Sequence, residues 1–138
     1  MAPSGLFQLC DSEKLAIWLV YRSPKAPTEA LSRLLETAIS WRLQYPKTII
    51  LGDFNIHADE PSSKQNTDLI SSMETLGFSQ YVSGPTHQAG HTLDLIFGAE
   101  VDMDPITTNK VPWSDHFTLK IRLLIPHTSP TDKACIYA

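Results

Sequence analysis

Lys47-Thr48-Ile49-Ile50-Leu51-Gly52-Asp53-Phe54-Asn55 reads as a buried strand that runs into a polar turn. Ile49, Ile50 and Leu51 form a short unbroken apolar run, which suits a strand covered on both faces. Gly52 lets the backbone turn tightly. Asp53 and Asn55 follow at the carboxyl end of the strand, where layered α/β folds commonly bind ligands. If the chain stays extended through Phe54, alternation places both side chains on one face. An acid and an amide on one face can handle a proton and hydrogen-bond a phosphate oxygen. Taken alone, Gly52 to Asn55 fits a plain polar turn equally well.

Upstream, Leu15-Ala16-Ile17-Trp18-Leu19-Val20-Tyr21 is a second apolar strand signal, closed by Arg22-Ser23-Pro24. Tyr21 at its exit carries a phenol that could reach an anionic ligand, although a strand tyrosine with its hydroxyl at the rim is common. Thr28 is a suitable N-cap for a helix over 28–43. Leu31, Leu34, Leu35 and Ala38 form its apolar stripe, with Ile39 and Trp41 at the edges and Leu43 off it. The helix must stop before Pro46. Strand, helix and strand in this order predict a βαβ unit with a parallel pair. Before it, residues 6–9 suit a short strand and residues 11–14 a hairpin turn.

Downstream, His57, Asp59 and Glu60 could be metal ligands, but a solvated polar loop is the commoner account. Ser62 or Ser63 can cap a second helix with Leu69, Ile70, Met73 and Leu76 on its apolar face and Gly77 at its end. A short strand at 78–82 and a loop at 83–90 follow, in which His87 reads as a solvent-exposed loop histidine. Asp94 interrupts the apolar run at 92–97, and a carboxylate there calls for a partner. Residues 101–111 are ambiguous, with room for a short strand. Ser114-Asp115-His116 precedes an alternating strand pattern over 117–125, and 126–138 is a tail with little structural signal.

At 138 residues the chain is one domain or part of one. With 42% hydrophobic and 19% charged residues it has the composition of a globular protein able to bury a core. Its net charge of −4 gives it no global basic footprint, which argues against a pure nucleic-acid-binding module. An enzyme that meets phosphate through a metal ion is less affected, because the cation supplies positive charge locally. Cys10 and Cys135 form neither a disulfide framework nor a zinc spacing and read as free thiols in a reducing compartment. No apolar run reaches the length of a membrane span, and the first ten residues lack a signal-peptide pattern. The expectation is a protein without membrane contact, intracellular, nuclear or cytoplasmic.

Three polar groups thus stand beside strands: Asp53 with Asn55, Asp94, and Asp115 with His116. Together with Tyr21-Arg22-Ser23-Pro24, Gly52-Asp53-Phe54-Asn55, His91-Thr92-Leu93-Asp94-Leu95-Ile96 and Ser114-Asp115-His116, the sequence resembles the endonuclease/exonuclease/phosphatase superfamily. Within it, the chain is most similar to the endonuclease domains of LINE-type retrotransposons. The resemblance implies an α/β fold, the C-terminal portion of a two-sheet α/β sandwich, spanning 15–125 between a start at 1–14 and the tail. It also implies Mg²⁺-dependent cleavage of phosphodiesters, with DNA as the partner.

By resemblance, Asp53 would position or deprotonate the attacking water, and Asn55 would hold a phosphate oxygen. His116 would contact the scissile phosphate, with Asp94 orienting its ring. Tyr21 would contact the phosphate and Asp115 would be a metal ligand. The family's first half carries an Asn and a principal Glu ligand with no counterpart in residues 1–14, so this fragment is expected to be inactive alone. The missing half would also cover one sheet face, so an uncovered apolar face, with self-association through it, is expected. The rival functions are a non-catalytic remnant or interaction module, and a phosphatase of the same superfamily.

Overall fold

A computed structural model describes residues 5–8, 14–27, 29–56, 64–124 and 133–137. The βαβ unit forms as expected. Strand β1 (Gly5–Gln8) pairs antiparallel with β2 (Lys14–Tyr21), and helix α1 (Glu29–Gln44) leads to β3 (Lys47–Asp53), parallel to β2. Helix α2 (Lys64–Thr75), β4 (Ser79–Gln80) and β5 (Asp94–Ala99) complete a five-stranded sheet in the order β1-β2-β3-β5-β4. A second sheet is built on β8 (Thr118–Leu124), which pairs antiparallel with β6 (Asp102–Met103), β7 (Thr107–Asn109) and β9 (Lys133–Tyr137). The architecture is a mixed α/β sandwich with two helices and two sheets.

The two faces of the first sheet bury different sets of residues, as period-two alternation requires. Trp18, Val20, Ile50, Leu95 and Phe97 face the helices, where they meet Leu31, Leu34, Ala38, Trp41, Leu69 and Met73. Trp41, placed at the edge of the predicted stripe, is buried with its ring centroid 4.7 Å from that of Trp18. Leu43, off the stripe, is exposed as expected, and Ile39 at the other edge is exposed too. Gly77 has φ of +90° and ends α2, and the Phe78 N–H donates to the Met73 carbonyl across it. Thr28, the turn over 11–13, Ser62, Ser63 and the loop residues His57, Asp59 and Glu60 lie outside the described residues.

The opposite face corrects one expectation. Leu15, Ile17, Ile49, Leu51 and Ile96 are not left uncovered, because Leu119, Ile121 and Leu123 of β8 pack on them. The chain brings its own second layer, so self-association through that face loses its physical basis. The tail contributes too: Lys133–Tyr137 adds β9 to β8 where no strand was expected. Five isolated residues after a long polar stretch give no periodicity to read; a waiting β8 edge supplies the hydrogen bonds. The cover stops short at one end of the first sheet. There Leu19 is 58% exposed and Tyr21 74% exposed, in line with the last residues of β3.

Candidate functional site

At that open end three strands stand in register. Tyr21 of β2 pairs with Asp53 of β3, and Asp53 pairs with Asp94 of β5. Residues directly opposite on neighbouring strands point to the same face. The row therefore faces the side covered further along by the second sheet. His116 lies two residues before β8 of that sheet. One oxygen each of Asp53 and Asp94 and one ring nitrogen of His116 lie within 4.8 Å of one another, a group that could hold a metal ion.

The geometry fixes proton positions. His116 Nδ1 lies 2.8 Å from Asp94 Oδ2. An ionised carboxylate only accepts, so Nδ1 carries a hydrogen and donates it. That leaves Nε2 facing Asp53 Oδ2 at 3.5 Å, a charge contact rather than a good hydrogen bond. Burial alone would lower the His116 pKa, but the hydrogen bond to Asp94 and the charges of Asp94, Asp53 and Asp115 outweigh it and hold it above the usual histidine value. Asp53 is also pushed up, first by burial and then by the charge of Asp94. The Asn55 N–H, at 3.0 Å from Oδ1, together with His116 and His87 offsets part of this.

Both shifts have the same sign for stability. A histidine whose folded pKa is raised stabilises below its unfolded value near 6.5 and loses that contribution as pH rises through the folded value. A raised aspartate pKa likewise means that the folded state is favoured below the unfolded value near 3.8, with the contribution lost as pH rises. The stability advantage of the native chain over His116→Ala is therefore expected to shrink from pH 6 to pH 8. Thermal unfolding of both proteins at each pH measures it, and an advantage that grows with pH would contradict the sign.

Asn55 departs from the extended path. Strand β3 ends at Asp53, and Asn55 has φ of +48°, a left-handed conformation that asparagine tolerates. Its amide Nδ2 donates to the Arg22 carbonyl at 2.6 Å. Asp115 is exposed, and its backbone carbonyl accepts the Gln88 N–H at 2.8 Å. Its carboxylate is not part of the Asp53–Asp94–His116 group, although its charge acts on His116.

Two further residues belong to this site. Thr86 is fully buried and its Oγ1 accepts the N–H groups of Leu93 and Asp94, at 3.0 and 3.1 Å. Its carbonyl accepts the Phe117 N–H at 2.8 Å, which ties β5 to the start of β8. His87 follows, not as a free loop histidine but bridged to His116, with ring centroids 5.0 Å apart and planes at 85°. The Ala89 N–H donates to its Nδ1 at 3.0 Å, so the neutral ring carries its hydrogen on Nε2. Nothing periodic marks Thr86 or His87; a buried hydroxyl in a Gly-Pro-Thr turn is found only through what it bonds.

Carboxylate oxygens suit a hard divalent cation such as Mg²⁺, whereas the imidazole is already engaged through Nδ1. The donor set thus fits such an ion through its oxygens. No helix among the described residues is long and apolar enough to cross a membrane. No curated protein matches the chain. A family model for endonuclease-reverse transcriptase domains matches residues 15–120, which takes in β2 through the first half of β8 and with them Asp53, Asp94 and His116. The chain belongs to the endonuclease-reverse transcriptase family, whose members include metal-dependent phosphodiesterases.

Proposed function

We propose that this chain supplies the phosphate-handling half of a Mg²⁺-dependent endonuclease site that cleaves DNA. The observation that carries the reading is His116 held between Asp94 and Asp53, at 2.8 and 3.5 Å. His116, fixed in tautomer by Asp94, turns Nε2 to the scissile phosphate and stabilises the charge that develops on its oxygens. Asp53 takes the proton of the attacking water, for which its raised affinity for protons is suited. Asn55 has one amide N–H on Arg22 and offers the second to a phosphate oxygen. Tyr21, exposed and in register with Asp53, contacts the same phosphate, and His87 offers Nε2–H beside it.

The carboxylate oxygens of Asp53 and Asp94 would hold the ion, with Asp115, outside their group, as a further ligand by resemblance only. When bound, it supplies Lewis acidity to the phosphate. No counterpart of the Asn and Glu that the resemblance implies is found within residues 1–14, so these 138 residues tested by themselves are expected to show no Mg²⁺-dependent nicking of supercoiled plasmid above a His116→Ala control. Joined to the first half of a family endonuclease, it is expected to nick the plasmid, and His116→Ala is expected to abolish this. Nicking by the joined protein that survives His116→Ala would refute the function. Mg²⁺-dependent, His116-dependent nicking by the chain alone would refute the need for the upstream ligands.

A further inference from the structure

A cavity of about 230 Å³ opens between the end of β2 and the first half of α1, on the helix-covered face of the sheet. Trp18, Val20 and Leu34 are among its apolar lining, and Arg22 and Arg33 line it too. Arg22 is only 8% exposed and makes no ion pair among the described residues. Its Nη1 and Nη2 reach the carbonyls of Phe54 and Ala26 at 3.5 and 3.3 Å, both long for a charged donor. Its Nε is buried with no acceptor among the described residues. A buried charge without a counter-ion and a buried N–H without an acceptor are each unfavourable.

We propose that this cavity binds a small organic oxyanion, its apolar or aromatic body against Trp18, Val20 and Leu34 and its carboxylate or phosphate on Arg22 and Arg33. A guanidinium matches such oxyanions in shape and charge, and a mainly apolar pocket with few convergent polar groups is the usual form of a small-molecule site. The site is separate from the Asp53–His116 group but mechanically joined to it. The Arg22 N–H donates to the Asp53 carbonyl at 2.8 Å, and the Arg22 carbonyl accepts from Asn55 at 2.6 Å. An anion that fixes the Arg22 guanidinium therefore stiffens the turn that carries Asp53 and Asn55.

The test is a titration of the chain, by amide NMR shifts and thermal unfolding at constant ionic strength, with phenyl phosphate, benzoate, inorganic phosphate and benzyl alcohol. Saturable binding of phenyl phosphate or benzoate is expected, with shifts at Trp18, Arg22 and Ala30; whichever binds tighter names the headgroup. Ala30→Leu fills the cavity from the helix without removing a polar group and is expected to weaken binding at least tenfold while the protein stays folded. Arg33→Gln is expected to weaken it severalfold, and Asp53→Asn to leave it unchanged, which separates this site from the proposed catalytic one. No saturable binding of either aromatic anion, equal binding of benzyl alcohol, or full retention in Ala30→Leu would each overturn the proposal. Inorganic phosphate binding as tightly as phenyl phosphate would remove the apolar half of it.

Discussion

In a domain completed by a family first half, His116→Ala is expected to lower DNA cleavage on the order of 10²- to 10³-fold, the range usual for one donor that stabilises developing charge. Asp94→Ala is expected to lose most of the same factor. Asp94 Oδ2 holds His116 Nδ1–H at 2.8 Å, so without it the ring can rotate and exchange tautomer. The double variant is then expected to be little worse than the worse single one, because one residue acts through the other. Losses that multiply in full would assign the two residues independent roles. Cleavage should be measured at pH 6 and pH 8, since Asp94→Ala removes the largest favourable influence on the His116 proton. A pH profile that does not move in Asp94→Ala would separate the acid from the histidine even if the rates agreed.

Gly52→Ala is expected to give the largest stability loss of any single methyl addition in the described chain, roughly 3 kcal/mol or more. Gly52 sits at φ of +143°, which side-chain-bearing residues rarely adopt. A Cβ there would lie 1.9 Å from the Val20 carbonyl oxygen on the neighbouring strand. Neither partner is a flexible side chain, so β2 and β3 would have to separate at the point where Tyr21 meets Asp53. A fall of roughly 10 °C in the unfolding midpoint is expected, together with disturbed amide shifts at Tyr21, Asp53 and Asn55. A variant that unfolds within a degree or two of the native chain would show that the strand pair accommodates the methyl group.

The expectation of self-association through an uncovered sheet face changes for a related reason. It rested on the apolar residues of both faces of β2 and β3, with cover from the helices on one face only. The second face is in fact covered by Leu119, Ile121 and Leu123. Alternation over 117–125 identified β8 as a half-exposed strand, but it could not say which surface β8 would lie on. Among the described residues the large apolar side chains left exposed are Leu19 and Tyr21 on β2, Ile39 and Leu43 on α1, Trp113 in a turn and Leu124 at the end of β8. A cooperative thermal transition is the corresponding expectation for the chain.

By itself the sequence determined the local elements. The apolar run at 49–51 is β3, the stripe on Leu31, Leu34 and Ala38 is α1, and the interruption at Asp94 marks a carboxylate that needs a partner. These follow from short-range periodicity and from the cost of burying a charge, and both are written residue by residue. Tertiary structure decided who meets whom. Register across β2, β3 and β5 puts Tyr21, Asp53 and Asp94 in one row, and the second sheet delivers His116 to it. A left-handed backbone turns Asn55 onto Arg22, and a buried Thr86 hydroxyl brings His87 against His116. The strand at 133–137 exists because β8 offers it an open edge. Each of these depends on hydrogen bonds between residues far apart in the chain, which no local pattern records.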